Sequence, residues 1–148
     1  MEPKRILLVE DNDLDAELTM AAVESAKVGN GVFRVLDGAE ALDYLFRRGS
    51  FAAREDGHPL LVLLDLKMPK VDGIEVLRQL KADPEFRTIP VVVMTSSKED
   101  QDIVESYRLG VNAYVVKPID FGQLADVVKQ IGLFWVLVNE PPPGSVRR

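Results

Sequence analysis

Five short, mostly apolar runs divide this chain, and each stops abruptly at polar residues. Ile6-Leu7-Leu8-Val9 stops at Glu10-Asp11-Asn12-Asp13, and Val32-Phe33-Arg34-Val35-Leu36 stops at Asp37-Gly38. Leu60 to Leu64 stops at Asp65, Pro90-Val91-Val92-Val93-Met94 stops at Thr95-Ser96-Ser97, and Ala113 to Val116 stops at Lys117-Pro118. Solid apolar runs of this length suit strands buried on both faces. The segments between them carry apolar residues at helical spacing: Leu14, Leu18, Ala21 and Ala22, then Leu42, Leu45 and Phe46, then Ile74, Leu77 and Leu80. Asp72-Gly73 opens the third helix and Asp83-Pro84 closes it. A fourth helix runs from about Asp100 to Leu109, with Gly110 as its stop. Asp120, with Gln123 three residues on, resembles a capping box for the last. Gly49 to Pro59 reads as a long loop, and His58 within it is expected at the surface. Strands that alternate strictly with helices predict a parallel sheet covered on both faces, an α/β doubly wound sandwich of the flavodoxin-like (βα)5 kind.

The length of 148 residues suits one domain with a full core. We expect that domain to span residues 1–138, followed by a flexible Pro-rich tail, residues 139–148. A net charge of −6 with no basic run argues against nucleic-acid binding, which depends on Lys and Arg neutralising phosphates. The absence of cysteine excludes disulfides, zinc–thiolate sites and thiol catalysis. Met1 to Arg5 leads into only four apolar residues, which is neither a signal peptide nor a membrane span, so a cytoplasmic protein with no membrane partner is expected.

Ligands of open parallel sheets bind beyond the carboxyl ends of the strands, where strand order reverses. In the order 2-1-3-4-5, strands 1 and 3 flank that point. Glu10, Asp11, Asp65, Thr95 and Lys117 follow their strands directly and would converge there. Three crowded carboxylates repel one another unless protons or a cation neutralise them. A cluster of oxygens without His or Cys suits a hard cation, and Mg²⁺ is typically held by one or two carboxylates and completed by phosphate. Phosphoryl transfer needs positioning and positive charge, which Mg²⁺ and Lys117 would supply, with the Thr95 hydroxyl as a further donor. Asp65, at the centre of the sheet edge, is the natural carboxylate nucleophile.

With these residues in place, the chain resembles the receiver domains of two-component response regulators from residue 4 to about 131. The likeness rests on Ile6 to Asp11, Leu63 to Gly73, Val92 to Ser96 and Gly110 to Pro118. It implies that Asp65 receives phosphate from a phosphohistidine on a sensor histidine kinase. It implies Mg²⁺ bound directly by Asp11 and Asp65, through water by Glu10, and by the backbone carbonyl of Lys67. It implies a coupled switch in which Thr95 moves toward the phosphoryl group and Tyr114 swings inward behind it, and a cis bond before Pro118. The surface switched would lie around helix 4, strand 5 and helix 5. Lys67 and Ser97 occupy positions that vary in the family and affect phosphate loss. Such a protein is a signalling component rather than an enzyme. It could act as a terminal output, as a shuttle passing phosphate to another histidine protein, or as a non-phosphorylated binding module of this fold. A closer likeness, to single-domain regulators that partner bacterial phytochrome kinases, rests on Leu42 to Gly49, Val111 to Tyr114 and Ile131 to Trp135.

The last helix, if continuous from Asp120 to Val138, would be about 28 Å long, against about 17 Å for a five-residue strand. It should overshoot the sheet. Phe121, Leu124, Val128, Ile131, Trp135 and Val138 form one stripe, assigned to the core, and Val127, Phe134 and Leu137 form a second. Helix that is apolar all round is buried on more than one side. A homodimer is therefore expected through Phe134, Trp135, Leu137 and Val138. Competing readings fail on particular residues. A haloacid-dehalogenase-like phosphatase would need a second acid where Lys67 stands. A flavodoxin would need a phosphate cradle where Glu10 to Asp13 would repel phosphate, and the P-loop pattern is missing.

Overall fold

The computed structural model describes residues 5–27, 31–54, 57–68, 70–117 and 120–133. Five parallel strands, β1 (Ile6–Val9), β2 (Val32–Val35), β3 (Leu61–Leu64), β4 (Val91–Thr95) and β5 (Ala113–Val116), form one sheet in the order β2-β1-β3-β4-β5. Five α-helices connect and cover them: α1 (Asp13–Ala26), α2 (Gly38–Phe46), α3 (Gly73–Ala82), α4 (Asp100–Arg108) and α5 (Phe121–Leu133). This is the doubly wound architecture expected from the alternation.

Strand periodicity divides the core in two. Leu7, Val9, Val62, Leu64, Val91 and Val93 point to one face, where Leu42 and Leu45 of α2 and Val76, Leu77 and Leu80 of α3 cover them. Ile6, Leu8, Leu61, Leu63, Val92 and Met94 point to the other, against Ala16, Ala22 and Val23 of α1 and Leu124 and Val128 of α5. The three central strands are buried throughout. Each such Leu or Val contributes about 1.5–3 kcal/mol of apolar burial, which is why these runs are apolar up to Thr95 at the end of β4.

Three expectations need correction. On α1, Leu14 and Leu18 are 72% and 59% exposed, and the buried face is Ala16, Thr19, Ala22, Val23 and Ala26. Thr19 can sit there because its hydroxyl donates to the Asp15 carbonyl at 2.8 Å. Small side chains on that face let α1 lie close to the sheet. Phe121, assigned to the core stripe of the last helix, is exposed, while Leu124 and Val128 are buried. Asp120 caps α5 by accepting from the Gln123 amide at 3.1 Å. Phe134, Trp135, Leu137 and Val138 lie outside the described residues, as do the expected tail and Pro118, before which a cis bond is expected.

The third correction is His58, which is buried rather than at the surface. The loop before it folds back onto the domain. Phe51 packs against Phe33 and Tyr44, and Arg54 Nε donates to the Tyr44 carbonyl at 2.9 Å. The His58 ring lies 4.6 Å from Phe86, and its Nε2 is 3.4 Å from Glu85 Oε1. Burial pushes the imidazole below its usual pKa, with Glu85 opposing. A histidine kept neutral by the fold is protonated more readily when unfolded. Its contribution is therefore complete above about pH 6.5 and is lost as pH falls below that value. Glu10, described below, acts in the opposite sense, so variants must be compared. Urea unfolding of the native chain and of His58→Leu at several values between pH 8 and 5 is expected to show a shallower acid loss in the variant. Parallel curves would refute this.

Candidate cation and phosphoryl site

The strand ends build one cleft. A further ladder-type hydrogen bond pins three of the residues that follow a strand. The Glu10 amide donates to the Val35 carbonyl at 3.1 Å, the Asp65 amide to the Val9 carbonyl at 3.1 Å, and the Lys117 amide to the Thr95 carbonyl at 2.8 Å. The geometry of the sheet thus passes directly to the side chains. The open cleft above them, of about 430 Å³, is lined by Glu10, Asp11, Asn12, Asp15, Asp65, Lys67, Ser96 and Lys117.

Lys117 occupies the centre. Its Nζ lies 2.6 Å from Glu10 Oε1, 2.9 Å from Asp15 Oδ2 and 3.4 Å from Asp65 Oδ2. Burial alone would lower the ammonium, but hydrogen bonds to Glu10 and Asp15 and the charge of Asp65 outweigh it, so Lys117 stays protonated. Glu10 and Asp65 are buried and Asp11 is exposed. One carboxylate oxygen from each of the three lies within 4.8 Å of the others. Burial pushes Glu10 up to about 7, Lys117 pulls it down, and Asp65 adds to the upward push. Three carboxylates this close face one largely buried ammonium, that of Lys117. An oxygen-only donor set with a negative excess fits a hard divalent cation.

Asp65 is held from its other side by the Lys67 amide, which donates to Oδ1 at 3.3 Å. Thr95 is fully buried at the end of β4, and its Oγ1 accepts from the Ser97 amide at 3.3 Å. Tyr114 is half-buried and donates through its hydroxyl to the Ser97 carbonyl at 3.1 Å. The structure therefore brings Glu10, Asp11, Asp65 and Lys117 together. Thr95 and Tyr114 meet one residue away, at Ser97.

Three participants escaped sequence reasoning. Asp15 is a fourth carboxylate on the cleft, placed by Asn12, whose side chain accepts from the Asp15 amide at 2.9 Å and starts α1. Arg34 of β2 secures the acidic segment: Nε donates to the Glu10 carbonyl at 3.0 Å and Nη1 pairs with Asp13 Oδ1 at 2.9 Å. Asp102 of α4 binds Lys67 Nζ at 3.3 Å and accepts from Ser97 Oγ at 2.6 Å. Helix spacing could have singled out Asp15, four residues after Asp11. Nothing local marks the other two.

Comparison with known proteins agrees with this geometry. The family described as response regulator receiver domain matches residues 6–129. Response regulator Rcp1 of Synechocystis sp. (strain ATCC 27184 / PCC 6803 / Kazusa) is 37% identical over 134 residues, 90% of each chain. The crystal structure of its Mn²⁺-bound form superposes with a TM-score of 0.79 at 36% identity, covering 95% of this chain and 99% of that one. The bacteriophytochrome response regulator RtBRR is 56% identical with a TM-score of 0.80, over 97% of this chain and 87% of that one. The phosphorylated cyanobacterial phytochrome response regulator RcpA is 42% identical with a TM-score of 0.80, over 95% and 99%.

Proposed function

The chain belongs to the receiver-domain family of two-component response regulators, and on that premise we propose that Asp65 is its phosphoacceptor. The observation that carries the proposal is Lys117 Nζ at 3.4 Å from Asp65, in a cleft shared with Glu10 and Asp11. One carboxylate oxygen of Asp65 attacks the phosphorus of a phosphohistidine on a sensor histidine kinase. The P–N bond breaks, a P–O bond forms, and the histidine, protonated on its other ring nitrogen, keeps the P–N electron pair and leaves as neutral imidazole. The Lys117 ammonium, a point charge on a flexible stem, turns from Asp15 and Glu10 to the phosphoryl oxygens. The Lys67 amide keeps Asp65 oriented. Thr95 donates its hydroxyl to the phosphoryl group, and Tyr114 follows through their shared neighbour Ser97. Mg²⁺ held by Glu10, Asp11, Asp65 and the Lys67 carbonyl would offset the charge of the transferring group.

The donor approaches over α1, where exposed Leu18 and Phe121 of α5 line one cavity with Lys117 and Asp15, suited to the apolar face of a helix of a protein partner. The phytochrome regulators among the relatives support a bacteriophytochrome kinase as that partner. No helix among the described residues is long and apolar enough to cross a membrane, which supports a cytoplasmic site of action. A homodimer through the C-terminal helix, with α4 and β5 as neighbours, belongs to the same proposal. Exposed Val104 and Tyr107 on α4 support it. A monomer by light scattering at micromolar concentration, phosphorylated or not, would overturn the dimer.

Intact mass after incubation with acetyl phosphate tests the phosphoacceptor reading. The expected result is a gain of one phosphoryl group with Mg²⁺ and none with a chelator. A chain that gains nothing under either condition, or from a histidine kinase, would refute it.

A further inference from the structure

Side chains from two loops meet at one carboxylate in the first turn of α4. Ser97 Oγ, between β4 and α4, donates to Asp102 Oδ2 at 2.6 Å. Lys67, two residues beyond Asp65, places its Nζ 3.3 Å from the same oxygen. The Asp102 side chain is only 14% exposed, while that of Lys67 is 58% exposed and borders the cleft above Asp65. Lys67 thus pairs with an anion on α4 and is also one of the residues that line the cleft holding Asp65.

Few side chains secure the start of α4; the Ser97 hydroxyl is one, accepting from the Glu99 amide at 3.4 Å. Glu99 precedes it without a side-chain capping bond, and Ser106 is its one buried residue. The bonds to Asp102 add to that contact in fastening this turn to the sheet edge.

We propose that Asp102 is a positioning residue that holds Lys67 off the phosphorylation cleft, and that phosphorylation makes Lys67 exchange Asp102 for a phosphoryl oxygen, releasing the first turn of α4. The inference rests on Asp65 being the phosphoacceptor. A phosphoryl group brings nearly two negative charges and three acceptor oxygens, against one carboxylate already shared with Ser97. The lysine stem has the reach and freedom to turn. A half-exposed ion pair is weak enough to be given up. Once on the phosphoryl group, Lys67 neutralises it and obstructs the water whose attack breaks the P–O bond, restores the Asp65 carboxylate and releases inorganic phosphate. By competing for Lys67, Asp102 shortens the life of the phosphorylated state and links that lifetime to the docking of α4.

The test uses four chains: native, Asp102→Asn, Lys67→Ala and the double variant. Asparagine keeps an oxygen for Ser97 and removes the charge that holds Lys67. Each chain is phosphorylated with acetyl phosphate and Mg²⁺ and freed of donor, and the decay is followed by intact mass. Asp102→Asn is expected to lengthen the half-life about three- to fivefold, the scale of one screened ion pair. In the Lys67→Ala background the same change is expected to leave the half-life unaltered. Amide exchange over residues 100–108 is expected to be faster in unphosphorylated Asp102→Asn than in the native chain. Equal half-lives in the native and Asp102→Asn chains, or the same lengthening with and without Lys67, would overturn the proposal. Unchanged amide exchange would overturn the link to α4. A native chain that takes up no phosphoryl group would instead refute the phosphoacceptor reading, and the exchange with it.

Discussion

Asp65→Asn is expected to abolish the Mg²⁺-dependent gain of one phosphoryl group, with labelling reduced by at least about a thousandfold. The amide has the shape of the carboxylate and can still accept from the Lys67 amide, so the fold should persist. What it lacks is the anionic oxygen that forms the P–O bond. The variant also removes one of three carboxylates that crowd within 4.8 Å. Its thermal midpoint without Mg²⁺ should equal or exceed the native one, and the stabilisation that Mg²⁺ provides should shrink. Mass spectrometry and thermal unfolding with and without Mg²⁺ check both statements. Undiminished labelling in Asp65→Asn would mean that another carboxylate accepts the phosphoryl group, with Asp11 the first to examine.

The second large effect concerns a backbone contact. Gly73 begins α3, and its amide donates to the Leu66 carbonyl at 2.9 Å. A Cβ on Gly73 would lie 2.3 Å from the Asp65 carbonyl oxygen and 2.6 Å from Leu66 Cα. Both are backbone atoms and cannot move aside singly. Gly73→Ala must therefore displace α3 or the end of β3 that carries Asp65. Overpacking of this kind costs about 3 kcal/mol, or about 10 °C in thermal midpoint for a domain of this size. Misplacing the reacting carboxylate should also slow labelling, by about tenfold or more. Gly38→Ala separates the two effects. Its Cβ would lie 1.9 Å from the Val71 carbonyl oxygen, away from Asp65, so it should destabilise comparably while the folded fraction labels at the native rate. If the folded fractions of both variants label at the native rate, the contact between Gly73 and Asp65 has no role in positioning the acceptor.

The sequence by itself determined the sheet, its flanking helices and the residues at the strand ends. That information is local. A strand buried on both faces must be apolar along its length, so its end is marked by the first polar residue, and in a parallel sheet those ends gather at one edge. Glu10, Asp11, Asp65 and Lys117 were legible for this reason, and the fold brings them to one cleft. Other features depended on contacts between distant segments. Apolar spacing on α1 pointed to Leu14 and Leu18, but the helix turns its small residues inward, where Thr19 hides its hydroxyl on its own backbone. His58 stands among loop-forming residues, yet the loop packs back through Phe51 and Arg54 and carries the imidazole under Phe86. Asp15, Arg34 and Asp102 take their places through contacts between distant segments. Each finds its partner 21 or more residues away: Asp15 at Lys117, Arg34 at Asp13 and Asp102 at Lys67. Burial patterns along a strand are written in the order of residues, whereas ion-pair partners are chosen only when the sheet brings its loops together.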